Sequence, residues 1–519
     1  MKSPLHHAMR QVSLAALMAV GLAATAHADE REDLETLKQT TLNLIQALVD
    51  QGVLPAAKAD ALVKQAEAKA RAAVAEAKKT EQSTVRVQFV PESVRKQIAD
   101  EVREEVVAQA KMERWGDVNA VPEWVDRFRF EGDVRLGYQR DMFDEGNAPE
   151  IFHQVDGQNV SNTLEDRDRT RLRARLGVSA RVTQDLTASL RLTTGSSSDP
   201  VSTNQTLGNY GSKYNFALDR AFLRARSPDF LPWLTTTAGR IPNPFFSTDL
   251  VWDDDLAFDG IALQFEDPAA ATRTWRPFGT VGWFPLQDNE KSASNQARNK
   301  SLLAAQVGVE WVPSNDLRAK LGLAMYDYRN VSGVRNAFNS NTQDATQPAF
   351  RQKGNSLFNL SNPANLSGPF GLAADYRVLN LTGTVDYNLF NPVHLILSAD
   401  YVRNIGFNPS RAQARSGRLL REEDTGYMVR AAVGMPNMLL KGDWQLSLAY
   451  RYLEADAVLD AFTDSDFHLG GTNNKGFIVG AQYGLSRNTW LSARWLSSRE
   501  ISGLPLSINT LQLYFNAKF

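Results

Sequence analysis

From about residue 126 onward the chain alternates apolar and polar residues with a period of two, and the alternating runs are long. In 128–138 the even positions hold Phe128, Phe130, Gly132, Val134, Leu136 and Tyr138. The odd ones between them hold Arg129, Glu131, Asp133, Arg135 and Gly137. Leu172, Ala174, Leu176, Val178, Ala180 and Val182 alternate in the same way with Arg171, Arg173, Arg175, Ser179 and Arg181. Leu303, Ala305, Val307, Val309 and Trp311 oppose Gln306, Gly308 and Glu310. Such a run makes a strand with one apolar and one polar face, because successive side chains leave opposite sides of the backbone. A soluble sandwich alternates too, so length has to separate the two. These runs reach about ten residues or more, soluble strands average about five or six, and roughly ten tilted residues cross a bilayer.

Sixteen strands are expected, starting near residues 127, 168, 185, 216, 234, 257, 274, 302, 317, 376, 394, 425, 443, 476, 489 and 507. Alternation is blurred in 216–226, 234–241 and 274–284, which leaves fourteen or eighteen open. The segments between strands alternate in length. The long ones are about 142–166, 196–215, 242–256, 285–301, 329–374, 404–424, 456–475 and 500–506; those between are short turns. Outer-membrane barrels have this asymmetry, with tight periplasmic turns and long outer loops. An even count brings both barrel ends to the periplasm. In lipid every backbone N–H and C=O needs a partner, so the sheet has to close. Trp124, Trp275, Trp283, Trp311, Tyr401, Trp490, Trp495 and Tyr514 cluster near strand ends, as interfacial girdles would. The expected class is all-β: a transmembrane antiparallel β-barrel of about 16 strands over 126–519, wide enough to enclose water.

What precedes the barrel is different. Lys2 and Arg10 flank the start, an apolar run follows over 12–25, and Ala26-His27-Ala28 leads into Asp29 and Glu30. A basic stretch, a short apolar one and an A-x-A site make a signal peptide over 1–28, and the apolar run is too short for an anchor. Removing Lys2 and Arg10 takes the 57 basic residues to 55 against 59 acidic ones, a mature charge of −4. Residues 29–115 read as a short α-helical segment in the periplasm. Leu34, Leu37, Thr41, Leu44 and Leu48 form a heptad seam, and Val94, Ile98, Val102 and Val106 recur at spacing four. Two readings stay open for it: a coiled coil that oligomerises or spans the periplasm, and a flexible helical spacer. The formal charge of −2 on the full chain argues against a nucleic-acid binder. The absence of cysteine removes thiolate metal sites and cysteine catalysis. A mean hydropathy of −0.34 excludes a bundle of membrane helices.

Several segments carry a family resemblance. They are Val85-Arg-Val-Gln-Phe-Val-Pro-Glu92, Glu131-Gly-Asp-Val-Arg-Leu136, Leu218-Asp-Arg-Ala-Phe-Leu223, Ala238-Gly-Arg-Ile-Pro-Asn-Pro-Phe245 and Val251-Trp-Asp-Asp-Asp-Leu-Ala-Phe-Asp-Gly-Ile261. With the signal peptide and the helical lead they resemble the "putative porin" family of Gram-negative outer membranes, over nearly the whole mature chain. A helical lead before an arginine-rich barrel also resembles the phosphate-selective porins. The resemblance implies a passive diffusion channel. The alternating last strand, ending on Phe519, resembles the signal that barrel-assembly machinery reads.

The chemistry concentrates in one row. Arg167, Arg169, Arg171, Arg173, Arg175 and Arg181 all take odd positions of one strand. Pointing them at lipid costs about 2–4 kcal/mol each near the midplane, so they are expected to line the lumen. Arg191 holds a polar-face position on the next strand, and Arg220, Arg224 and Arg226 would extend the patch. The functional expectation is a positive wall that orients anionic or zwitterionic solutes. The structural alternative is a set of arginines paired with Glu131, Asp133 or other lumenal acids. The loop 242–256 carries Asp249, Asp253, Asp254 and Asp255 beside Phe245, Phe246 and Trp252. In general porins the third outer loop folds inward so that its acids face an arginine wall, and by chain order this loop is the third. The alternative is an acidic outer loop. Of the histidines, His153, His394 and His468 survive loss of the signal peptide, in no triad order, and the chain has no P-loop or His-rich metal motif. No enzymatic activity, cofactor or metal is expected. The expected function is a porin for small hydrophilic solutes, anion-leaning through the arginine row. Its expected partners are outer-membrane lipid, the barrel-assembly machinery, those solutes and, among assemblies, a homotrimer; nucleic acid is not one. The alternatives are a structural or adhesive barrel with a blocked lumen, and a barrel lipase. Segment 329–374, rich in Asn, Ser, Gln and Pro and without a period, is expected to be the most open to protease.

Overall fold

A computed structural model describes residues 125–519 other than 228, 365 and 366. The signal peptide, the seam through Leu34 and Leu48, the rest of the helical lead and Trp124 lie outside the described residues.

Sixteen antiparallel strands form one closed sheet. The first eight are β1 (Phe128–Phe143), β2 (Arg167–Arg181), β3 (Leu186–Thr193), β4 (Ala217–Ala225), β5 (Leu234–Pro242), β6 (Ala257–Glu266), β7 (Trp275–Gln287) and β8 (Lys300–Ser314). The second eight are β9 (Leu317–Arg329), β10 (Arg377–Phe390), β11 (Val393–Asn404), β12 (Thr425–Gly434), β13 (Trp444–Leu453), β14 (Asn474–Ser486), β15 (Thr489–Glu500) and β16 (Ser507–Lys518). Each strand pairs with the next in sequence, and a two-residue piece, Gln205–Thr206, pairs beside β2. Closure comes from β16 on β1, with Val134 opposite Ala517 and Leu136 opposite Phe515. It runs to the last residue: Phe519 N donates to Gly132 O at 3.0 Å, and Gly132 N to Phe519 O at 2.9 Å. The strand starts expected from alternation agree, including the blurred ones near 216, 234 and 274.

Burial on this barrel is inverted relative to a soluble protein. Val307 is 64% exposed and Leu448 54%, while Gln306 is 2% exposed and Asn380 is fully buried. Only a sheet with lipid outside and polar contents inside satisfies both numbers. Aromatic pairs mark the rims. Trp275 stacks on Trp311 at 5.6 Å beside the short turns, and Tyr427 on Tyr452 at 5.3 Å beside the long loops. Two girdle expectations are corrected. Tyr514 is buried in the lumen with the Arg135 guanidinium 5.1 Å from its ring. Trp490 stands in register with lumenal Asn516, under the ammonium of Lys518. Both sit at even positions of strands whose lipid-facing residues are odd, so register decides against the girdle.

The apolar core lies inside the barrel. Loop 243–256 enters the lumen and packs Phe245, Leu250 and Trp252 against Phe258, Phe284 and Tyr326 of the wall. Trp252 meets Phe258 and Tyr326 edge to face at 4.8 and 5.0 Å. Gln306 then locks the loop in place, donating to Phe246 O at 2.7 Å and accepting from Phe246 N at 2.8 Å. Loop 330–376 is not the open tract its composition suggested. It carries a short hairpin, Leu357–Asn359 with Phe370–Leu372, and buries Leu357, Phe358, Leu360, Phe370 and Leu372. Phe358 and Leu360 cluster with Ala373 of the same loop, while Leu357, Phe370 and Leu372 join the lumenal core, so the apolar residues follow no period.

Candidate functional site

Strand β2 leaves the long loop 144–166 at Arg167 and reaches a short turn after Arg181, so its arginines run the height of the lumen. Cross-strand register sets Asp133 opposite Arg175, Arg135 opposite Arg173 and Gln139 opposite Arg169. Asp133 accepts from Arg173 at 2.8 and 3.0 Å and from Arg175 at 2.6 Å. Arg169 pairs with Asp141, whereas Arg171 donates to the neutral Gln139 at 3.0 Å. Arg167 and Arg181 end the row at opposite rims, both exposed. On β3, Arg191 pairs with Asp219 and stands across from Arg220; Arg224 and Arg226 lie exposed near the short turn. The wall is thus partly compensated, with Asp133, Asp141 and Asp219 as its acids.

The four loop aspartates separate. Asp255 alone reaches the wall, 3.3 Å from Arg175 and 3.7 Å from Arg173, while its other oxygen accepts from Thr203 Oγ1 at 2.7 Å. Burial pushes its carboxyl up, but Arg173, the Thr203 bond and Arg175 outweigh that and hold it below the usual carboxylate range. Asp253 turns away, accepting from Asp255 N at 2.7 Å and Ser465 N at 2.9 Å. Burial and the neighbouring Asp464 and Asp255 push it well above the usual range. Asp254 is also raised, by burial first and then Asp255 and Asp464. Through the Asp249 carbonyl, which accepts from Asp464 N at 3.3 Å, loop 243–256 meets a second loop.

The sequence marks that second loop, 456–475, as a long segment but gives no sign that it folds inward. Residues 454–473 are buried almost throughout and lie within the lumen. Phe462 O accepts from Asp253 N at 2.8 Å, and Ser465 Oγ donates to Val201 O at 2.8 Å. Loop 330–376 binds the same segment. Asn355 Nδ2 donates to Ala455 O at 2.6 Å and Val458 O at 2.8 Å, and Gln352 Nε2 to Asp460 O at 2.8 Å. Lys353 Nζ donates to His468 O and Gly470 O. Three loops therefore interlock across the channel. Burial raises Asp460 to about 7, and burial with Asp249 and Asp466 raises Asp464 to about 6.

Cavities remain around the plug. One of about 320 Å³ lies toward the long loops and is lined by Arg167, Arg169, Arg171, Arg351 and Lys353. Another, about 340 Å³, lies beyond it, with Arg135, Arg173, Asp254, Asp464, Asp466 and Arg494 in its walls. They share Ser465 and Asp466, and the arginine row passes both. A third, about 400 Å³, is aromatic, with Trp252, Phe258, Phe284, Phe350 and Phe462.

The histidines form no triad. His394 pairs with Asp386 at 2.6 Å near a short turn. His468 is buried, 3.0 Å from Ser498 Oγ, but Ser498 donates to Ile508 O at 2.9 Å. His468 Nε2 has no partner among the described residues. His153 is also buried.

Against known proteins, the family described as "Putative porin" matches residues 38–519. Solved structures that the chain is similar to include OprB of Pseudomonas putida, at 13% identity and TM-score 0.45, over 78% of this chain and 97% of that one. The outer membrane channel DcaP of Acinetobacter baumannii matches at 11% and TM-score 0.39, over 76% and 97%. A loop L8 deletion mutant of OmpT from Vibrio cholerae matches at 11% and TM-score 0.39, over 76% and 99%. No curated protein sequence matches.

Proposed function

Because the chain belongs to the "Putative porin" family, we propose that this outer-membrane barrel is a passive diffusion channel whose charged lumen admits small hydrophilic solutes past the plug. The observation that carries the reading is the arginine row running past two lumenal cavities, inside a sheet whose apolar face is turned outward. Field strength in such a lumen is high, because the charges sit close to any solute that enters. Arg167, Arg171 and Arg181 support an anion-leaning channel; Asp254 and Asp466 in the inner cavity oppose it. The test is a planar bilayer with a salt gradient. Single-channel steps with a reversal potential toward chloride are expected, and a potential toward potassium would reverse the assigned sign. One observation favours a second reading. The interlocked loops fill much of the lumen, as they would in a structural barrel that conducts nothing. An inserted, folded barrel that stays silent would establish that reading.

A further inference from the structure

The cavity toward the long loops has features that a charged wall alone does not require. Its volume of about 320 Å³ holds about ten waters at ~30 Å³ each, which is room for a small organic solute. Arg167, Arg169 and Arg171 form its barrel side, and loop 330–376 brings Arg351 and Lys353 to it from the plug. Facing them are Asp141, Asp199 and Asp466. These acids are already engaged. Asp141 pairs with Arg169, Asp466 accepts from Arg494 at 2.9 Å, and Asp199 accepts from Val201 N at 3.0 Å. Lys353 is engaged as well, on two carbonyls of the plug. That leaves Arg167, Arg171 and Arg351, none of which has a carboxylate at ion-pair distance among the described residues. Buried N–H groups of Arg169 (Nε), Arg171 (Nε) and Arg351 (Nη1) also lack an acceptor among the described residues. A buried guanidinium N–H without an acceptor is unfavourable, so the site is built for something that supplies oxygens.

We propose that this cavity is a saturable binding site for a small organic dicarboxylate, clamped between Arg171 of the barrel wall and Arg351 of the plug. Guanidinium forks match carboxylates two bonds at a time, which favours carboxylates over a spherical anion such as chloride. Five basic against three acidic side chains leave a formal excess of two positive charges, the charge of a dicarboxylate. Val160, Phe350 and Ile508 complete the lining and suit a short hydrocarbon body. The site rests on the porin reading only for how its ligand arrives.

The test is calorimetric titration of succinate into the full-length barrel in detergent, at fixed ionic strength, with 1,4-butanediol as the uncharged control of the same length. Saturable succinate binding is expected, with none for the diol. R351Q and R171Q should each weaken it about tenfold or more, the effect of losing a charged hydrogen-bonding partner. Arg318 lies at the other end of the lumen, beside a short turn, and R318Q should leave binding unchanged. Heat-modifiable migration on gels reports whether each variant is folded. If R351Q fails to fold, R171Q on the opposite side carries the test. Absence of saturable binding by folded wild type overturns the site, and so does equal weakening by R318Q, which would mark a general field. Binding does not need conduction. A barrel that binds succinate but passes no current overturns the porin reading and leaves the site standing.

Discussion

Asp255 is the residue where wall and loop exchange charge, and its neighbours respond to pH in the opposite sense. Arg169, Arg171, Arg173 and Arg175 stand on alternate residues, about 6.6–6.8 Å apart along the strand, within a Debye length of ~8 Å at physiological ionic strength. Their fields overlap, and Asp255 is the loop acid that stands against them, 3.3 Å from Arg175 and 3.7 Å from Arg173. Replacing Arg171 and Arg173 by Glu is therefore expected to shift permeability toward cations. Replacing Asp253, Asp254 and Asp255 by Asn is expected to shift it toward anions. Both shifts should shrink at molar salt, where the screening length falls to ~3 Å. Reversal potentials in a salt gradient measure each; an unchanged potential in the folded arginine variant would reduce the row to a structural wall. The aspartates add a pH dependence. Asp253, Asp254 and Asp464 are raised and take up protons early as pH falls, Asp464 near 6, whereas Asp255 stays charged beside Arg173 and Arg175. Lowering the pH from about 7.5 to about 5 should thus remove negative charge from the inner cavity and move the reversal potential toward anions. Asp464→Asn should flatten that response, and a wild-type potential constant over the window would contradict it.

The interlocked loops behave as one element, held by polar groups that titrate or that cannot be left unpaired. Asn355 is fully buried, donates to the carbonyls of Ala455 and Val458, and accepts from Asp460 N at 2.8 Å. Asn355→Ala takes the partner from Val458 O and Asp460 N, at about 1–3 kcal/mol for each buried group, while Ala455 O keeps Thr472 Oγ1 at 2.7 Å. The barrel should stay folded while the loops loosen, giving larger and noisier current steps; unaltered steps would mean the loop contacts do not limit the path. Asp460, raised to about 7 by burial, favours the packed loops in its protonated form. Its contribution is present at low pH and is lost as pH rises through about 7. Protease should therefore cut 454–473 more slowly at pH 5.5 than at pH 8.5, relative to an unfolded reference peptide, and Asp460→Asn should reduce the difference to the part that Asp464 carries. The contrast with the strands explains what could be read from sequence. A strand between lipid and water must alternate, so β5 at Leu234–Pro242 was found even from a blurred signal. A loop buried in protein has no second medium to alternate against, and Lys353 and Asn355 look like surface residues until their partners are seen. One signal was available: Gly470 and Gly471 at φ 93° and 92°, where a Cβ on Gly471 would lie 2.1 Å from Lys353 O. Paired glycines in a long loop mark a close backbone approach.

At the scale of the whole molecule, barrel and plug make separate contributions, and they can be separated experimentally. The sheet closes on itself from Gly132 to Phe519 through backbone bonds that do not involve the plug. Lipid-facing residues such as Val307 and Leu448 do not involve it either. Sixteen strands alone enclose an aqueous channel. Here the space is reduced to cavities of about 320, 340 and 400 Å³ by loops that return into the lumen. Replacing 455–472 by a short Gly-Ser link joins β13 to β14 directly and removes the partners of Asn355, Gln352 and Lys353. Arg451, fully buried and 3.7 Å from Asp464, loses its acid but gains access to water in the opened lumen, which limits the cost. The shortened barrel is expected to insert, to keep its heat-modifiable migration and to conduct roughly two-fold or more above the parent, since one of the three interlocked loops no longer narrows the path. If the parent conducts and the shortened form conducts no better, the path does not run beside this loop and the constriction lies elsewhere along the arginine row. If the parent is silent and the shortened form conducts, the lumen is closed in the resting molecule and 454–473 is what closes it.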